Sequence, residues 1–128
     1  MNNDRIHILK TQHDWEGFLQ AAQTCQSAIL FKFSPTCPIS HSAESRAMQW
    51  LDSLSDNASI AMACIDVIAA RALSRQIAEE LNVQHQSPQA IRLSPQGQPI
   101  WDASHGSISV ETLTKYVCSP DGQQADIN

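Results

Sequence analysis

Basic residues, glycine and long apolar runs are all scarce in this sequence. Its 128 residues carry 8 lysines and arginines against 13 aspartates and glutamates, a net charge of −5, and no run of lysine or arginine occurs. Proteins that grip a phosphate backbone present a basic surface, so no nucleic acid partner is expected. The longest apolar stretches fall well short of the roughly 20 residues needed to cross a bilayer. The opening MNNDRIHILK lacks the charged-then-apolar pattern of a signal peptide. A cytoplasmic chain with no membrane association is the expectation. With only 4 glycines and 42% hydrophobic residues, the composition suits a packed domain rather than a fibrous or disordered chain. The length suits one such domain over residues 1–118. The closing SPDGQQADIN (119–128) has little to bury and is expected to be disordered.

Also missing is any CxxC pair, and with it the close-spaced ligands of a structural zinc site; no metal is expected. The four cysteines, Cys25, Cys37, Cys64 and Cys118, are widely spread. An oxidising compartment would allow three pairings, but in a chain without a signal, free thiols are the expectation. Cys64, inside ASIAMACIDVI, reads as a small buried hydrophobe. Cys25 and Cys118 fall near helix ends and are expected to be partly exposed.

What is present is an alternation of helical and strand patterns. Trp15, Phe18, Leu19 and Ala22 share one helix face, as do Ala43, Ala47, Trp50, Leu51 and Leu54. Leu73, Ile77 and Leu81 mark a third helix, with Asn82 as its stop, and Val110, Leu113 and Val117 a fourth. ILFKF (29–33) and SIAMACIDV (59–67) are apolar almost throughout, as parallel strands covered on both faces tend to be. QAIRLS (89–94) and QPIWDAS (98–104) flank Pro95-Gln96-Gly97, a turn between antiparallel strands. IHIL near the start suits an edge strand. The order (β)αβαβαββα is that of an α/β, thioredoxin-like arrangement: a central mixed β-sheet flanked by helices on both faces.

The chemistry concentrates at SPTCPIS. Pro38 suits the first turn of a helix, which puts Cys37 at or beside the N-cap. There, unpaired backbone N–H groups and the positive end of the helix dipole favour thiolate over thiol. Lys32 and His41 flank the cysteine as further candidates to assist. Ser40 stands where a second cysteine would complete a redox pair. A hydroxyl cannot resolve a mixed disulfide, though it can donate a hydrogen bond towards the Cys37 sulfur. Downstream, HQSPQAI (85–91) sets Ser87-Pro88 immediately before a strand. Thioredoxin-like folds hold a cis-proline there, facing the reactive cysteine. The residue before it offers backbone groups to an incoming extended segment. A trans proline opening a strand is the plainer alternative.

LFKFSPTCPIS, IAARALSRQIAEELNVQHQSPQAI and IWDASHGSIS together resemble the bacillithiol-system redox-active proteins, monothiol bacilliredoxin-like members of the thioredoxin superfamily. The likeness runs from about residue 5 to residue 117. Its specificity comes from the joining of TCPIS to a downstream His-x-Ser-Pro-Gln and a late Ser-His pair. The resemblance implies removal of bacillithiol from S-thiolated cytosolic proteins. It implies no tightly bound cofactor, with bacillithiol or glutathione as the low-molecular-weight thiol co-substrate. Cys37 matches the active cysteine and Pro88 the cis-proline. On this basis the catalytic set is Cys37, Pro38 and Ser40, and the substrate-binding set Thr36, His85, Ser87, Pro88, Gln89 and His105. Phe33 stands where the family pattern has histidine, and Ala72 and Asn82 replace a proline and a glycine.

Plainer readings compete at several positions. His85 and His105 also suit polar loop residues, and Trp15, Trp50 and Trp101 suit the core. Asp66 suits a solvated strand end better than a buried proton-handling carboxylate. Two rival functions remain: a non-catalytic thioredoxin-like binding module, and iron–sulfur carriage of the monothiol glutaredoxin type, against which Pro38 counts because glycine is usual there.

Overall fold

SAILFKF and IAMACID form the middle of the sheet because nearly every residue in them is apolar, so both faces can be covered. The computed structural model describes residues 5–118. Its elements are β1 (Ile6–Ile8), α1 (Gln12–Thr24), β2 (Ser27–Phe33), α2 (Pro38–Asp52), β3 (Ile60–Asp66), α3 (Arg71–Leu81), β4 (Gln89–Leu93), β5 (Pro99–Ser104), a 3-10 turn (His105–Ser107) and α4 (Val110–Val117). The strands lie in the order β1-β3-β2-β4-β5. β1, β3 and β2 are parallel, while β4 and β5 run antiparallel to their neighbours. This is the mixed sheet expected from the sequence, with IHI as its edge strand. The expected disorder of 119–128 lies outside the described residues. Among the described residues no helix is long and apolar enough to cross a membrane.

Successive side chains of a strand point to opposite faces, so the sheet builds two cores. Ala28 and Leu30 of β2 face α1 and α3, which bring Trp15, Phe18, Ala22, Leu73, Ile77 and Leu81. Ile29 and Phe31 face α2 and α4, which bring Ala43, Ala47, Trp50, Leu51, Leu113 and Val117. Each large side chain buried this way contributes about 1.5–3 kcal/mol of transfer free energy.

The helix ends are fixed by local chemistry. Thr11 and Asp14 form a capping box on α1, and Ser109 and Thr112 form another on α4. Asn82 ends α3 in the left-handed region, at φ 55°, with its N–H on the carbonyls of Ala78 and Glu79, a common way to stop a helix. Gly97 takes φ 82° in the β4–β5 turn, where glycine has no side chain to strain. Its N–H reaches the Ser94 carbonyl at 2.8 Å.

Lys32 breaks the apolar run of β2. It is only 1% exposed, and its Nζ donates to Gln89 Oε1 at 3.0 Å. Gln89, its register partner on β4, donates in turn to the Gln84 carbonyl (3.2 Å) and reaches Asp102 Oδ2 at 3.5 Å. Burial holds the Lys32 pKa down, from 10.5 to about 8. Below about pH 8 the ammonium is charged in both folded and unfolded chains, and burying that charge opposes folding. Between about 8 and 10.5 the unfolded chain keeps a proton that the folded chain has released, so this group's contribution to stability rises with pH. Urea unfolding of wild type and Lys32→Met, near pH 7 and near pH 10, isolates the effect. The stability difference between the two should move in favour of wild type at the higher pH; an unchanged difference would show that Lys32 titrates as it does in the unfolded chain.

Candidate functional site at the head of α2

β2 ends at Phe33, and the chain turns through Ser34, Pro35 and Thr36 before Pro38 opens α2. Cys37 is the N-cap residue, with extended backbone (φ −104°, ψ 122°) and no hydrogen bond from its side chain to the helix. The turn is closed by backbone bonds: the Cys37 N–H donates to the Ser34 carbonyl at 3.2 Å, and the His41 N–H to the Cys37 carbonyl at 3.0 Å. Cys37 is a free, half-buried thiol, while Thr36 and Pro38 beside it are exposed. Thr36 Oγ1 lies 3.4 Å from Ser34 Oγ.

Ser40 is fully buried, at 0% exposure, and its hydroxyl accepts from the Ser34 N–H at 2.7 Å. The expected hydrogen bond from Ser40 to the Cys37 sulfur is absent among the described residues. The reason lies one residue past β2: the Ser34 amide has left the ladder and needs an acceptor inside the turn. The two cations expected to assist are also placed elsewhere. Lys32 shares the sheet face of Ala28 and Leu30, covered by α1 and α3 and opposite α2. His41 is 79% exposed, with Nδ1 4.0 Å from Glu44 one turn along the helix.

The second half of the site comes from the β2–β4 register. Lys32 pairs with Gln89, so Pro88 stands where β2 gives way to the 34–37 turn. The Ser87–Pro88 peptide bond is cis. Pro88 is buried, and its carbonyl accepts from the His105 N–H at 3.1 Å. His105 adopts φ 54° and is exposed, so its backbone serves the site directly. Arg46 of α2 ties this segment down: Nε donates to the Ile108 carbonyl at 2.6 Å, and a terminal nitrogen lies 3.4 Å from the His105 carbonyl. Nothing in the sequence signals Arg46, because its acceptors are backbone groups far along the chain. Ser87 Oγ is buried with no hydrogen-bond partner among the described residues.

Gln89 and His85 divide differently from the expectation. The Gln89 side chain is buried and engaged by Lys32, Gln84 and the Gln86 N–H. It faces the interior rather than an incoming partner. His85 is exposed, and burial of its ring together with the charges of Lys32 and Arg75 favours the neutral imidazole. Asp66 ends β3 and is half-buried. Its Oδ1 accepts from the N–H groups of Ile68 and Ala69, both at 2.9 Å, shaping the loop before α3. Trp15 and Trp50 are core residues, whereas Trp101 is half-buried and stacks on Tyr116 at 5.3 Å.

The remaining thiols are structural in their surroundings. Cys64 is buried against Phe31, its neighbour in register, and burial with the nearby Glu44 charge pushes its thiol up to about 12. Burial also raises Cys118, which lies against Trp50. Among the described residues no group of three histidine, cysteine, aspartate or glutamate side chains could hold a metal ion.

Known proteins share this fold. A putative oxidoreductase with a thioredoxin fold superposes with a TM-score of 0.71 at 27% identity, over 86% of this chain and 91% of that one. A thioredoxin variant from Halobacterium salinarum gives 0.67 at 15% identity, over 94% and 95%. Oxidised mitochondrial thioredoxin 3 from Saccharomyces cerevisiae gives 0.63 at 13% identity, over 88% and 92%. The fold is therefore that of thioredoxin. The profile of the monothiol bacilliredoxin BrxC family matches residues 7–113, a span that holds the Cys37 turn, the Ser87–Pro88 loop and His105. With a thioredoxin fold and one accessible thiol at the head of α2, this chain belongs to the monothiol bacilliredoxin family of thiol redox proteins.

Proposed function

We propose that the protein is a cytosolic monothiol exchanger that strips a low-molecular-weight thiol, bacillithiol or glutathione, from S-thiolated proteins. The observation that carries this reading is one half-buried thiol, Cys37, at the N-cap of α2 in the turn that follows β2, at the end of the strand where the β2–β4 register also puts Pro88. The Cys37 thiolate attacks the small-thiol sulfur of a mixed disulfide. The protein's own sulfur leaves as a thiolate, and the small thiol is now disulfide-bonded to Cys37. A second molecule of small thiol, as its thiolate, attacks the sulfur of that adduct. It leaves as the symmetrical disulfide and regenerates the Cys37 thiolate. One disulfide is broken and one formed overall, the incoming small thiol being oxidised as the client's cysteine is reduced.

Resolution from outside follows from where the other thiols sit. Cys25 precedes β2 and Cys37 follows it, so roughly 20 Å of strand separates them. Cys118 lies against Trp50, roughly 20 Å along the axis of α2 from Cys37. A disulfide needs Cα atoms within roughly 7 Å. Cys64 is buried and held as a thiol. Ser40 contributes no nucleophile.

The surroundings suit a protein client. Ile39, in the first turn of α2, is 57% exposed, and Ile68, in the β3–α3 loop, is exposed as well. Both stand beyond the C-terminal ends of the central parallel strands, the end at which Cys37 lies. An extended client segment laid across Ser87 would pair with backbone there and rest on these side chains.

Brief treatment of the native protein with iodoacetamide should alkylate Cys37 and spare Cys64, as peptide masses report; equal labelling of the two would contradict the burial of Cys64. Release of glutathione or bacillithiol from a modified protein should fall to the uncatalysed rate in Cys37→Ser. Activity retained in that variant removes the proposed role. Ser40→Cys should let an internal disulfide form under mild oxidant, lowering the intact mass by two hydrogens, and an unchanged mass would place the two side chains out of reach.

A further inference from the structure

α3 begins against electrostatic preference. A helix N-terminus favours anions, yet the first turn of α3 holds no acid and opens with Arg71, followed one turn on by Arg75. Like charges at i and i+4 oppose each other on a helix. Neither guanidinium makes a hydrogen bond or ion pair with another described residue. Ala70 at the N-cap supplies no side-chain cap. The nearby carboxylate of Asp66 has Oδ1 committed to the amides of Ile68 and Ala69.

Arg71 and Arg75, with Val67, Ile68, Ser74 and His85, line a cavity of about 200 Å³. Ser74 in its wall is 2% exposed, and its hydroxyl has no hydrogen-bond partner among the described residues. Such orphaned hydroxyls are rare in folded proteins and costly. The charge of Lys32, like that of Arg75, is felt by His85 in the cavity wall. An acidic chain thus lines one hollow with two of its 8 lysines and arginines. The hollow lies at the Cys37 end of the sheet. Val67, in its wall, donates its N–H to the Phe33 carbonyl at 2.9 Å, and His85 begins the loop that ends in Ser87 and Pro88.

We infer that this cavity is a carboxylate subsite for the low-molecular-weight thiol, with Arg71 and Arg75 pairing its charge and Ser74 donating its free hydroxyl hydrogen. The inference rests on the exchange chemistry proposed for Cys37 and adds where the carboxylates that glutathione and bacillithiol both carry are held. A carboxylate there relieves the repulsion between the arginines, satisfies Ser74 and complements the start of α3. Neutral thiols of similar size gain none of this, so the cavity selects among adducts that Cys37 alone would not distinguish.

Non-reactive S-methyl derivatives separate binding from exchange. S-methylglutathione and S-methylbacillithiol are titrated into the full chain while the backbone amides of residues 71–75 and His85 are followed by NMR. Saturable shifts are expected with at least one of them, and none with S-methyl mercaptoethanol. Affinity should fall roughly tenfold or more when Arg71→Gln and Arg75→Gln are combined, as loss of charge-assisted hydrogen bonds implies. A response to one derivative alone supports the subsite and identifies the thiol. No saturable shift with either, or equal affinity in the double variant, overturns it. Exchange is assayed in parallel on a peptide carrying glutathione, bacillithiol or mercaptoethanol. The double variant should slow only the carboxylate-bearing adducts, and equal slowing of all three overturns the subsite. If wild type binds the derivatives yet exchanges no adduct, the exchange reading falls and the anion site stands.

Discussion

The pairing of β2 with β4 is the constraint on which the rest depends. Five residue pairs, from Lys32–Gln89 to Ala28–Leu93, hold the two strands in register. A slip by one residue would turn every side chain of one strand to the wrong face. An apolar run such as ILF resists slippage weakly, because either face of it is acceptable to a core. Lys32 and Gln89 resist it strongly. In the native register the buried ammonium meets an amide oxygen; slipped by one, it would meet Pro88 or Ala90 and lose that hydrogen bond. A buried cation is a poor source of stability, but it discriminates sharply between registers. That discrimination sets Pro88 at the end of β2 and so beside the turn that carries Cys37.

The same economy explains Ser40. In the turn 34–37 the amide of Ser34 has lost its ladder partner, and a fully buried oxygen meets it at 2.7 Å. Sulfur is a weak acceptor, so a cysteine at position 40 would serve this amide poorly. Serine therefore orders the backbone beneath Cys37 while removing the internal nucleophile. The result is a site whose backbone is hydrogen-bonded beneath Cys37 and which, on the proposed mechanism, relies on a thiol from solution to resolve its adduct.

Much of this is legible in the sequence because it depends on short-range pattern. Helical spacing marks all four helices, and Asn82 stops α3 in the left-handed conformation that its residue type tolerates. Pro38 announces the start of α2 and places Cys37 at its cap. The edge strand and the hairpin around Gly97 follow from composition alone. What the sequence hides depends on direction and on distant backbone. Lys32 is next to Phe31 and Phe33, yet strand alternation sends it to the other face, away from α2. Gln89 follows Pro88 directly, and the same alternation takes its amide into the interior. Ser40 reads as a partner for sulfur because the unpaired Ser34 amide is invisible until β2 is seen to end at Phe33. Arg46 gives no signal at all, since carbonyls of residues 105 and 108 carry no side-chain signature.

The distribution of charge is the last thing that packing fixes and sequence conceals. With a net charge of −5, the surface as a whole repels the anionic small thiols that the proposed exchange requires. Long-range attraction is screened within roughly 8 Å at physiological salt, so overall charge matters less than what lies within a few ångströms of the bound group. Arg71 and Arg75 are spaced by one helical turn, and β3 delivers that turn to the edge where β2 ends. The loop before Pro88 closes the far wall with His85, whose neutral form neither neutralises nor reinforces a bound carboxylate. The topology that sets the Cys37 turn and Pro88 at one end of β2 thus also sets two guanidiniums, unpaired among the described residues, in the cavity at that end of the sheet. Local positive charge within an acidic protein is then a consequence of strand order, and on the proposed exchange chemistry it is what would let the monothiol site recognise the part of its substrate that does not react.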